Sequence, residues 1–144
     1  MSEKNLSSIS DSEWEVMRIV WTLGETNTKQ ILNELQTKKD WTDSTIKTLI
    51  RRLVQKGWLN AKQDGRRYIY TATVNQTEMM YNEAKTLLNR MCDMHKGDVI
   101  LKLLEDSPVS KGDLMKMKKE ISQKEKTAPE MVPCNCLKTG STIC

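Results

Sequence analysis

Ile46, Leu49, Ile50, Leu53 and Val54 fall at i, i+3, i+4, i+7 and i+8, so a helix between Trp41 and Gly57 must bury one stripe and leave the opposite face in water. Thr42 or Asp43 caps its start, and Gly57 stops it. The wet face carries Ser44, Thr48, Arg51 and Gln55, flanked by Thr45, Lys47 and Arg52, and holds no carboxylate. Two alternating strands follow at once, Leu59 to Gln63 and Arg66 to Val74, with Asp64-Gly65 expected to supply the φ > 0 residues of a tight hairpin. The tip of that hairpin presents Arg66 and Arg67.

Upstream, the first ten residues are polar and expected to be mobile as far as Ser10. Ser10 and Glu13 have the spacing of a capping box that starts a helix near Asp11, which Gly24 ends. Trp14, Val16, Met17, Ile19, Val20, Trp21 and Leu23 cover most of its circumference, so it packs on more than one side. A second helix spans about Asn27 to Thr37, with Ile31, Leu32 and Leu35 on one face, and the four tryptophans, Trp14, Trp21, Trp41 and Trp58, read as packing anchors. Helix, helix, basic-faced helix and hairpin is the order of a winged helix-turn-helix, whose third helix enters the major groove of DNA. Between Asp43 and Tyr70 seven basic residues face two acids, a local charge of +5 in a chain whose total is +4. The basic character is therefore concentrated in one segment. Ser44, Thr45 and Thr48 are small enough to reach phosphates or base edges, Lys47 and Arg51 can read guanine or pair with phosphate, and Arg52 flanks them. Arg66 and Arg67 would grip the neighbouring backbone or minor groove. A merely solvated basic face is the alternative, and the absence of acids together with the hairpin favours double-stranded DNA as the partner.

Beyond Val74 the spacing of Met80, Ala84, Leu87, Leu88 and Met91 predicts one long helix from Asn75 to about His95, followed by shorter helices at Asp98 to Glu105 and Ser110 to Lys124. Their apolar residues are few for an independent core, so a second copy of the chain is expected to supply the missing area through the Met-rich helix. Pro129 and Pro133 bracket a linker. The reading is mainly α, with a winged helix-turn-helix (three helices plus a β-hairpin wing) at 1–74, a helical dimerisation domain at 75–125 and a flexible cysteine tail at 126–144.

No apolar run approaches the ~18 residues of a membrane span, and MSEKNLSSIS lacks the basic-then-apolar order of a signal peptide. A cytoplasmic chain with reduced thiols is expected, and its four cysteines then point to metal or redox chemistry. Cys134 and Cys136 stand at i and i+2, ~6.6 Å apart on one side of an extended segment. A modest bend brings their sulfurs to the ~3.8 Å that ~2.3 Å metal–thiolate bonds require. Cys144 returns after a loop containing Gly140. Thiolate ligands favour Cu(I) and also hold Zn(II); three suit trigonal Cu(I), whereas structural zinc wants a fourth. The plainer alternative is a disordered tail with incidental thiols. Cys92, between Met91 and Met94 in a helical pattern, reads as a small core residue, and His95 as a helix-terminal residue, with a zinc site shared by the two as the lesser reading. The nine methionines read as core and dimer contacts in preference to a thioether copper site. One histidine, no glycine-rich phosphate loop and no nucleophile with a base leave no catalytic set, so neither an enzyme nor a small organic substrate is expected.

SEWEVMRIVW in the first helix, STIKTLIRRLVQKGWL through the third and RRYIYTATV in the wing resemble blocks of the penicillinase-repressor family, and within it the CopY-type copper-responsive branch. The resemblance covers nearly the whole chain. It implies a homodimer with an N-terminal winged helix-turn-helix and a helical dimerisation domain. The β-lactam-responsive members are switched by proteolysis at an Asn-Phe bond, and this chain contains no Phe. The copper branch carries two Cys-x-Cys pairs; Cys134 and Cys136 match the first and Cys144 one member of the second. The fourth zinc ligand is left to water, Cys92, a side chain of the other protomer or a residue beyond the end. The implied behaviour is a zinc-loaded dimer on a palindromic operator of copper-transport genes, released by Cu(I). A sensor of another metal or of thiol oxidation would share the DNA-binding head, whereas a copper chaperone would need the tail and not the basic helix.

Overall fold

The computed structural model describes residues 8–144, which divide into two compact units after Tyr81. The polar stretch expected to be mobile lies, up to Ser7, outside the described residues. In the first unit, α1 (Asp11–Leu23) opens on the capping box read from the sequence: the Ser10 hydroxyl accepts from the Glu13 amide, and the Glu13 carboxylate accepts from the Ser10 amide. Gly24 closes it at φ 81°, a conformation that favours glycine. A strand absent from the sequence reading, β1 (Thr26–Asn27), precedes α2 (Thr28–Gln36), where Asn27 and Gln30 form a second capping box. Thr42 caps α3 (Asp43–Gln55) by accepting from the Thr45 amide. The hairpin consists of β2 (Leu59–Asp64) and β3 (Arg67–Ala72).

The three strands form an antiparallel sheet in the order β1-β3-β2, with Thr26 opposite Tyr70 and Asp64 opposite Arg67. That register corrects the turn. Its two central residues are Gly65 and Arg66, and only Gly65 has positive φ, at 65°. A single positive φ at the first central position is the requirement of a type II′ turn, so the aspartate belongs to the strand. The core packs Val16, Met17 and Val20 of α1 against Ile31 and Leu35 of α2 and Ile46, Ile50 and Leu53 of α3. Trp58, 1% exposed, closes it from the hairpin side, with Trp14 edge-on to both Trp58 and Trp21. The Trp21 indole donates to the Val74 carbonyl at 3.0 Å.

Downstream, the single long helix expected from Asn75 to His95 is two helices, α4 (Gln76–Leu88) and α5 (Asp93–Asp106), and α5 absorbs the separate helix expected at Asp98. The amides of Arg90 and Met91 bond back only to Leu87 and Leu88, which tightens the chain into a turn, and Cys92 is extended at φ −62°, ψ 132°. Apolar spacing continues across this break, which is why periodicity alone did not show it. Ser110 caps α6 (Lys111–Glu125). Among the described residues, no helix is long and apolar enough to cross a membrane.

Candidate nucleic-acid interface and metal centre

The wet face of α3 is held in place from its N-terminus. Gln36 of α2 donates to the Asp43 carboxylate at 2.6 Å and to the Trp41 carbonyl, which locks the α2–α3 turn. Ser44, Thr45, Lys47, Arg51 and Arg52 are exposed, and Thr48 is half-buried. The Thr45 hydroxyl lies 3.0 Å from that of Thr42 and so shares in the cap. Arg66 occupies the wing turn and Arg67 the first position of β3, where its guanidinium lies 3.8 Å from Asp64. Among the described residues, Lys47, Arg51, Arg52 and Arg66 enter no ion pair, which leaves their charge available to a polyanion. Lys56 differs: its ammonium lies 2.7 Å from the Glu13 carboxylate, itself only 2% exposed, and donates to the Ser8 carbonyl. Burial pushes the Glu13 carboxyl up, but the hydrogen bonds from Lys56 and Ser10 outweigh it and leave the pKa below its ordinary value. One of the seven bases of the segment is thus structural.

Between α3 and the wing lies a cleft of about 300 Å³, bordered by Lys47, Arg51 and Gln55 and by Tyr68 and Tyr70 over an apolar floor of Ile50, Val54 and Ala61. Tyr68 and Tyr70 stack with ring centroids 6.5 Å apart on one face of β3. Charge and helix spacing alone give these two tyrosines no part in the site. The period-2 pattern was the available signal.

In the second unit the tail folds back on itself. Cys134 and Ser141 exchange both backbone hydrogen bonds, at 2.7 and 3.2 Å, around a turn in which Gly140 has φ 76°. The Cys136 amide donates to the Cys134 sulfur at 3.3 Å, an N–H···S bond of the kind that stabilises a thiolate ligand from outside the coordination sphere. The Cys136 and Cys144 sulfurs are 3.6 Å apart. Cys92, expected in a helix interior, instead occupies the N-cap of α5, half-buried, and its sulfur lies with those of Cys134, Cys136 and Cys144 so that all four are within 4.8 Å of one another. Tetrahedral coordination with ~2.3 Å zinc–sulfur bonds spaces sulfurs ~3.8 Å apart, so small side-chain adjustments suffice and the donor set fits a soft ion. Burial opposes the Cys92 thiolate, yet hydrogen bonds from the Cys144 thiol, the Met94 amide and the Cys134 and Cys136 thiols bring its pKa down to about 6. The Cys136 thiol is pushed up, chiefly by Cys134, and the Cys144 thiol is pushed up, chiefly by Cys92. His95 is exposed and stands outside the four-thiol group.

A three-helix unit whose third helix turns a basic, carboxylate-free face to solvent, with a hairpin wing that carries Arg66 at its turn, defines a winged-helix transcriptional regulator. The profile of the penicillinase repressor family matches residues 9–123, and the chain belongs to this family of repressors. It is similar to an uncharacterised 16.5 kDa protein of Latilactobacillus sakei, 46% identical over 93% of this chain and 92% of that one. It is also similar to the methicillin resistance regulatory protein MecI of Staphylococcus aureus (strain N315), 30% identical over 81% of this chain and 94% of that one. A solved CopR repressor structure is 33% identical, covering 48% of this chain and 100% of that one, with a TM-score of 0.41.

Proposed function

We propose that the protein is a copper-responsive transcriptional repressor: a homodimer that holds a palindromic operator of copper-homeostasis genes when its thiols carry Zn(II) and leaves it when they carry Cu(I). The single observation behind copper is the convergence of four thiols within 4.8 Å in a repressor of this family. Cys134, Cys136 and Cys144 hold the ion, and a soft thiolate set suits both Zn(II) and Cu(I). On the DNA side Ser44, Thr45, Lys47, Thr48, Arg51 and Arg52 approach the major groove, and Arg66 and Arg67 hold the flanking backbone. Dimerisation is supported by the second unit, where Cys134 is the only buried residue and Leu87, Ile100, Leu101 and Leu103 are each more than half exposed. The domains follow as 1–74 for DNA, 75–125 for dimerisation and 126–144 for the metal. Release requires Cu(I) to bind the DNA-free form better than the DNA-competent form, and a difference of ~1–3 kcal/mol lies in the usual range of such coupling.

The test is a palindromic duplex selected from a random pool by the zinc-loaded protein, followed by anisotropy. Added Cu(I) is expected to release the duplex, and whatever duplex a Cys134→Ser/Cys136→Ser variant holds is expected not to respond to Cu(I). A complex indifferent to Cu(I) would reject the copper reading. The 3.6 Å between Cys136 and Cys144 favours a second reading, a peroxide-sensing repressor in which these two thiols are oxidised to a disulfide. Release by hydrogen peroxide and not by Cu(I) in the same assay would select it.

A further inference from the structure

Three tail thiolates leave a tetrahedral ion one ligand short, and the chain offers the remainder from a distant place. We propose that Cys92 is the fourth zinc ligand, so that an ion held by the tail is also bonded to the N-terminus of α5. The proposal rests on the metal-site reading above and adds to it a ligand that lies outside the tail and outside any Cys-x-Cys pair.

Two independent features carry it. Cys92 is the N-cap of α5, with extended backbone, and its sulfur lies within 4.8 Å of the three tail thiols. The first turn of the helix is also tied to the tail: Asn135, the residue between the first two cysteines, accepts from the Asp93 amide at 2.9 Å across 42 positions of sequence. Asn is a favoured capping side chain, and here it satisfies an otherwise orphaned amide in the first turn of a helix. The tail is therefore docked on α5 by a contact that involves no sulfur, and the docking sets Cys134 and Cys136 on either side of the clasp, opposite Cys92. The partial positive charge of the helix N-terminus favours a thiolate at this position as well. Asn135 is thus a positioning residue for the ligand set.

Cobalt and zinc titrations of the full-length chain test both parts. In wild type, Co(II) is expected to give the thiolate charge-transfer and tetrahedral ligand-field bands of a four-sulfur site. Cys92→Ser should lower the charge-transfer intensity by about a quarter and weaken Zn(II), measured by chelator competition, by about tenfold or more. Serine is a good N-cap, so this variant should keep or raise thermal stability while losing zinc affinity, and those opposite signs separate ligation from misfolding. Asn135→Ala should keep the full band intensity and weaken Zn(II) by about tenfold, and Asn135→Asp, which retains an acceptor, should recover most of it. A wild-type band that Cys92→Ser leaves unchanged would overturn the fourth ligand while leaving the tail site intact. A wild-type chain with no thiolate band would overturn the metal reading and the fourth ligand together.

Discussion

Glu13 completes the α1 capping box, pairs with Lys56 from the end of α3, and keeps one carboxylate oxygen buried with no partner among the described residues. Removing its cation would leave a nearly unscreened buried charge, so Lys56→Met should cost ~2 kcal/mol in denaturant unfolding, less than a fully buried pair because Lys56 is partly exposed. The pKa of Glu13 is lower in the folded chain than the ordinary 4.5. Its contribution is accordingly complete above about pH 4.5 and disappears as pH falls through the lower folded value. Glu13→Gln should remove that acid-side dependence, and an unchanged pH profile would disprove the assignment. On the proposed DNA face Arg51 borders the cleft and, among the described residues, is free of ion pairs. Arg51→Ala should weaken the specific duplex by ~1–3 kcal/mol with unchanged thermal stability; equal affinity would remove it from the reading face. Arg51 was visible from charge, and Glu13 from its capping-box spacing to Ser10. The pairing of Glu13 with Lys56 was not, because the partners lie 43 positions apart.

The first-unit elements followed local chemistry closely, since capping boxes at Ser10–Glu13 and Asn27–Gln30 and the amphipathic stripe of α3 encode their own boundaries. The wing departed by one residue in its turn. Gly65 has open space around the position of an added Cβ, so Gly65→Ala should cost only the backbone strain of a positive φ, about 1 kcal/mol in thermal unfolding. A neutral effect would argue against the observed turn. β1 escaped notice because two residues carry no periodicity; Thr26 and Asn27 become a strand only through pairing with Tyr70 and Ile69. The opposite failure occurred between α4 and α5, where unbroken apolar spacing concealed a turn at residues 89–92 and with it the placement of Cys92.

For the proposed homodimer, the exposed Leu87, Ile100, Leu101 and Leu103 make a direct prediction. Leu103→Glu should shift sedimentation equilibrium from dimer toward monomer and reduce binding to a palindromic duplex far more than to a half-site, because a monomer engages one half-site at a time. A variant that remains dimeric would move the interface elsewhere. The starts of α1 and α3, the buried stripe of α3, the basic face opposite it and the thiol-rich character of the tail could all be read from residue order, since each depends on neighbours within a few positions and on a fixed helical or strand period. The Asn135 clasp on Asp93 and the gathering of four sulfurs could not. Those depend on chain segments about forty residues apart meeting in space, and no local period records such a meeting.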